Sequence, residues 1–146
     1  MSGWDTVPWM VTLRSARPEE APSILAVWRE ADAEPTTTDD PERVRQLMAA
    51  DADAVIVADA DGRLVGTVIA GWDHWRGNIY RLAVVPAHRR QGLGKRLVDE
   101  ALRRLQAAGA ARLSAVVVED DEDAVAFWTA LGWHRQAART RFVKNL

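Results

Sequence analysis

Residues Arg89-Arg90-Gln91-Gly92-Leu93-Gly94-Lys95 stand between a strand-like run, 79–85, and a strongly amphipathic helical pattern. No other stretch restricts the fold so much. A strand must pass directly into a helix there, through a turn with two glycines. Glycine lets the backbone come close to a ligand, and the free N–H groups at a helix start favour anions. Arg89, Arg90, Lys95 and Arg96 add four cations. The segment reads as a pyrophosphate cradle, or else as an ordinary glycine-containing turn.

Two common cradles fail on residue identity. A P-loop needs Ser or Thr after Gly-Lys, but Gly94-Lys95 is followed by Arg96, and its first glycine is missing. A dinucleotide fingerprint needs a third glycine, where this chain has Leu97. What remains, Arg-x-x-Gly-x-Gly over 89–94, resembles the acetyl-CoA signature of the GNAT family of N-acetyltransferases. Leu82-Ala83-Val84-Val85-Pro86 is similar to the family's strand that pairs with the pantetheine arm. Ala124-Val125-Ala126-Phe127-Trp128-Thr129-Ala130-Leu131-Gly132-Trp133 is similar to its C-terminal helix and Leu-Gly-aromatic exit. The resemblance spans about 11–143 and within the family is greatest to small YpeA-like acetyltransferases. It implies acetyl-CoA as co-substrate and no metal. The residues implied to hold acetyl-CoA are Leu82, Ala83, Val84, Arg89, Arg90, Gln91, Gly92, Leu93, Gly94, Lys95, Asp121 and Trp128.

At 146 residues the chain suits one domain, 11–146, behind a short extension, 1–10. The net charge of −2 argues against general nucleic-acid affinity, and the basic cluster is local, which suits a small anion. Without cysteine there is no disulfide, thiol nucleophile or thiolate metal site. No apolar run approaches the ~20 residues that span a bilayer. No signal peptide is visible, and a cytoplasmic location is expected. Of the seven tryptophans, Trp28, Trp128 and Trp133 fit apolar patterns, whereas Trp72 and Trp75 sit in a polar turn.

Periodicity predicts a strand over 11–16 and a helix from Pro18, with Ile24, Leu25, Trp28 and Ala31 on one face. A second helix starts at Asp40-Pro41, with Asp40 as N-cap. Strands follow over 54–58, 64–70 and 78–85, the first two joined at Asp61-Gly62, a strong hairpin turn. The long helix covers 91–108 and ends at Gly109. A strand over 113–118, a helix over 121–131 and one or two strands within 133–143 complete the order βααβββαβαβ. This is a mixed α/β sheet with helices on both faces. With the resemblance, the expectation is a GNAT-like, mostly antiparallel sheet of six to seven strands, whose fourth and fifth strands splay apart.

The resemblance implies direct attack of a neutral amine on the acetyl thioester, with a backbone N–H near Val84 as oxyanion donor. A general base is needed because a free amine is mostly protonated at neutral pH. The candidates are Glu119, Asp73 and Tyr80. Glu119 opens a run of five acids that equally suits helix capping. Asp73 sits with Trp72, His74 and Trp75 in the turn before the fourth strand, a group able to hold an amine. The family's usual acid, a Tyr on the last helix, is replaced by Trp128, whose indole has no acidic proton. Asp121 replaces the Asn that often precedes that Tyr. The reading is an acetyl-CoA-dependent N-acetyltransferase for a small molecule or a peptide amine, without nucleic-acid or membrane partners, with a homodimer left open. The alternative is an acyl-CoA-binding sensor or structural protein.

Overall fold

The computed structural model describes residues 10–146, so the expected extension over 1–10 lies almost wholly outside the described residues. The chain divides into two units, Met1–Ala115 and Val116–Leu146.

The first unit holds a mixed sheet. Strand β1 (Val11–Ser15), β2 (Val55–Ala60), β3 (Arg63–Trp72) and β4 (Gly77–Val84) pair antiparallel in chain order. Strand β5 (Leu113–Ala115) joins β4 in parallel. Helices α1 (Ala21–Glu30) and α2 (Pro41–Ala50) lie between β1 and β2 in sequence, and α3 (Leu93–Ala108) links β4 to β5. Local chemistry places these elements. The Asp40 carboxylate accepts from the Glu42 amide at 2.8 Å and caps α2, with Pro41 at its first position. Asp61 and Gly62 both have positive φ, 53° and 92°, as a type I′ hairpin requires.

Strand β3 is the centre of the sheet and is covered on both faces. A side chain at Gly66 would meet Leu97 of α3, while its neighbour Thr67 meets Trp28 of α1. Successive residues of a strand point to opposite faces, so α1 and α3 flank the sheet on opposite sides. The core gathers Ile24, Trp28, Ile56, Val65, Val68, Leu97 and Leu105 between these layers.

Two expectations are corrected. Among the described residues the sheet has five strands, not six to seven. β5 stops at Ala115, and Val116 and Val118 remain exposed beyond it. Residues 133–143 form no strand. Their apolar residues are scattered among Arg135, Arg139 and Arg141, which leaves no continuous face to bury, and Ala138 has φ 61°, which breaks an extended run. The second unit contains α4 (Glu122–Ala130), the helix expected there.

Candidate functional site

The site begins where β5 leaves β4. The parallel pairing covers only Gly77 to Ile79 against Leu113 to Ala115. From Tyr80 to Val84, β4 keeps its bonds to β3 but has no strand on the other edge among the described residues. Val85 donates its amide to the Val65 carbonyl. By alternation, the N–H and C=O of Val84 face the open edge. Leu82, Ala83 and Val84 therefore lie along a strand edge that no other strand covers among the described residues.

The loop after β4 passes through a 3₁₀ turn, Pro86–His88, and two left-handed residues, Arg90 with φ 62° and Gly92 with φ 77°. Gly92 is the N-cap of α3, and no side chain caps the helix. The amides of the first turn, from Leu93 through Lys95, are thus left for an anion, with Gln91 beside them. A Cβ at Gly92 would meet nothing within 4 Å, so the space over the helix start is open.

The four cations of the loop are not equivalent. Arg89 donates Nε to the Val84 carbonyl at 2.9 Å and Nη2 to the Ala31 carbonyl at 3.0 Å. It is a strut between the end of β4 and the end of α1. Arg96 donates to the Val11 carbonyl at 2.8 Å. Lys95 pairs with Asp99 one helical turn on, both exposed. Arg90 is exposed, with no hydrogen bond or ion pair among the described residues. Sequence reading could count these charges but not divide them between structure and ligand.

The middle of β4 is irregular. Thr67 faces Ala83 and Ile69 faces Tyr80, so Arg81 and Leu82 together stand opposite Val68, and Arg81 has φ 52°. This β-bulge turns the consecutive side chains of Tyr80 and Arg81 toward the α1 side. A buried relay fixes it. Trp28 Nε1 donates to the Thr67 hydroxyl at 2.9 Å, which donates to the Arg81 carbonyl at 3.0 Å. The Tyr80 ring lies over Gly71, where an added Cβ would come within 2.9 Å of Tyr80 Cε2. Tyr80 is 48% exposed and sits at the point where the edge opens.

Trp72, Asp73, His74 and Trp75 lie at the β3–β4 turn, the opposite end of β4 from the glycine loop, roughly 25 Å at strand rise. The Asp73 carboxylate accepts the amides of Arg76 at 2.6 Å and Trp75 at 2.8 Å. Those bonds hold its pKa below the usual carboxylate value. Trp75 is exposed with the Arg76 guanidinium over its ring, and Trp72 meets His74 edge to face.

Within the second unit, Asp121 accepts the Ala124 amide at 3.0 Å and is the N-cap of α4. Glu119 is exposed and pairs with Arg135 at 3.1 Å. The Trp128 ring packs edge to face on Phe127 and, at 4.7 Å, on Trp133. No sequence signal singled out Arg81 or Thr67. The bulge that brings them forward has a non-glycine residue at positive φ, which composition does not betray.

Among the described residues no helix is long and apolar enough to cross a membrane, and no group of His, Cys, Asp and Glu could hold a metal. The model of the acetyltransferase (GNAT) family matches residues 21–133, well over half of the chain. The fold is similar to that of Ard1 from Thermoplasma volcanium, at 21% identity and TM-score 0.77 over 88% of this chain and 85% of that one. It is also similar to the PaiA N-acetyltransferase from Thermoplasma acidophilum in complex with coenzyme A, at 16% identity and TM-score 0.76 over 88% and 92%. A third likeness is to the aminoglycoside N-acetyltransferase AAC(6')-Iy in complex with CoA, at 17% identity and TM-score 0.74 over 93% and 95%.

Proposed function

The chain belongs to the GNAT acetyltransferase family, and on that premise we propose that it moves acetyl from acetyl-CoA to a primary amine of a small molecule or peptide. The observation that carries the reading is the continuity of two features: an uncapped helix start at Gly92 and an open β4 edge that begins at Tyr80. The residues present fit acetyl-CoA. Amides from Gly92 to Lys95 suit the pyrophosphate, with Arg90 as the free cation beside them, and the edge from Leu82 to Val84 suits an amide-bearing arm.

Acetyl-CoA supplies the activated acetyl group as a thioester. The chain's part is to hold that carbonyl against the Val84 amide and to bring the amine in neutral form. Transfer forms a C–N bond, breaks the C–S bond, and moves one proton from the nitrogen to solvent or to a side chain. Tyr80 is the group best placed to touch that proton, because its ring is fixed over Gly71 where the edge opens. Asp73 is engaged by its own turn and Glu119 by Arg135, which supports local roles for both. Trp128 fits a packing role against Phe127 and Trp133. The Trp72–Trp75 turn remains a proposed entrance for the amine, through the exposed Trp75. A chain without cysteine is compatible with the cytoplasm.

The test is release of CoA from acetyl-CoA with a panel of polyamines, amino sugars and peptide amines. Turnover above the rate of thioester hydrolysis with at least one class is expected. Tight acetyl-CoA binding with no turnover across the panel would favour a sensor instead.

A further inference from the structure

We propose that Arg81 and Asp39 form a positioning clamp, which holds the α1–α2 connection against the β4 bulge and so builds one wall of the path by which the amine reaches Tyr80. The inference rests on the transfer reading above. An exposed strand arginine ordinarily extends into water. Arg81 does not, because the bulge turns it inward beside Tyr80. Its Nη2 lies 2.7 Å from both carboxylate oxygens of Asp39 and 3.2 Å from the Thr36 hydroxyl. The guanidinium also sits over the Trp28 ring at 5.2 Å. The two side chains are only 18% and 17% exposed.

Both sides of this contact are held in place. On the sheet side, the Trp28–Thr67 relay fixes the Arg81 carbonyl. On the loop side, Asp39 accepts from the Thr36 amide at 3.3 Å and from its hydroxyl at 3.2 Å, so the connection folds around the carboxylate that Arg81 grips. The other end of the connection is tied by Arg89, which reaches the Ala31 carbonyl. The α1–α2 connection is therefore fastened to the β4 region at two points. One strut comes from the glycine loop and one from the bulge.

The pair has an electrostatic consequence. An amine acceptor approaches mainly as an ammonium. A bare guanidinium next to Tyr80 would repel it, and Asp39 cancels that charge at contact distance. Losing Asp39 should therefore harm amine binding more than losing Arg81, although either change frees the connection. Both close contacts come from one nitrogen, so the ammonium of a lysine can replace them without a fork.

The experiment measures amine KM in turnover and acetyl-CoA Kd by calorimetry for Arg81→Met, Asp39→Asn and Arg81→Lys, with near-UV circular dichroism as the check on folding. Asp39→Asn should raise amine KM by about tenfold or more, as expected when a partly buried charge loses its partner. Arg81→Met should raise it about threefold to fivefold, and Arg81→Lys should return it to within about twofold of wild type. Acetyl-CoA Kd should stay within about twofold throughout, because the anion site is in the glycine loop at the start of α3, beyond the end of β4. Amine KM unchanged in folded Asp39→Asn, or a parallel rise of amine KM and acetyl-CoA Kd, would overturn the clamp. Should Arg81→Met fail to fold, Asp39→Asn and Arg81→Lys carry the test. Absence of turnover in the wild type overturns the transfer reading itself, whereas turnover with unaltered KM overturns the clamp alone.

Discussion

Gly71 and Tyr80 are diagonal neighbours across β3 and β4, and a single methyl group on Gly71 would come within 2.9 Å of the Tyr80 ring. The absence of a side chain on one strand thus sets the position of an aromatic on the next. Gly71→Val should push the ring off the strand, since the ring is the movable partner, at a cost of about 1–2 kcal/mol. A fall in kcat of tenfold or more with near-normal acetyl-CoA affinity is the expected result if Tyr80 stands at the reacting nitrogen. Tyr80→Phe measured alongside separates ring position from hydroxyl chemistry, since it removes the hydroxyl and keeps the ring.

Thr67 is wholly buried, and its hydroxyl serves both Trp28 and Arg81. Thr67→Val keeps the volume but leaves the indole N–H without its acceptor and the Arg81 carbonyl without its donor. About 2–3 kcal/mol of stability should be lost, visible as a Tm lower by roughly 5–10 °C. A Tm within a degree or two of wild type would mean that the bulge does not depend on the relay.

Acid stability follows from two glutamates. Arg14 holds Glu20 down to about 2, chiefly through paired hydrogen bonds at 2.8 and 2.7 Å. Arg103, then Arg104, hold Glu100 down to about 2. A folded pKa below the unfolded value gives stability that is complete above the unfolded pKa. That stability disappears as pH falls from about 4.5 toward 2. Glu20→Gln should therefore lower stability at pH 7 by on the order of 1–2 kcal/mol and flatten the decline below pH 5, as read by urea titration at several pH values.

Trp128 packs between Phe127 and Trp133 and has no proton to give near neutrality. Trp128→Phe should leave both limbs of the pH–rate profile where they are in wild type. Loss of a limb, with acetyl-CoA affinity intact, would show that the indole takes part in the chemistry.

Much of the architecture was legible because it is set by local chemistry. Asp40 before Pro41, Asp61-Gly62, and Gly109 after the long amphipathic run each name a cap or turn by residue type, and all three form as expected. The strand–loop–helix around Gly92 was legible for the same reason. The bulge was not, since Arg81 at φ 52° is a conformation imposed by Thr67 and Trp28 from elsewhere in the chain. Nor was the division of the loop cations, because Arg89 finds its acceptors on Val84 and on distant Ala31. The one or two strands expected within 133–143 do not form, because the apolar residues of that segment do not alternate and so offer no face to bury.

The most direct test of the account is calorimetric titration of acetyl-CoA into wild type, Gly92→Ala and Gly92→Asp. Gly92 has φ 77°, so any side chain there carries a backbone cost of about 1 kcal/mol, which alanine reports by itself. No atom lies within 4 Å of the added Cβ, so both variants should fold. The account predicts modestly weakened binding for Gly92→Ala, and weakening of about a hundredfold or more for Gly92→Asp, whose carboxylate faces the pyrophosphate. Wild-type affinity in folded Gly92→Asp would contradict the assignment of the glycine loop as the acetyl-CoA site.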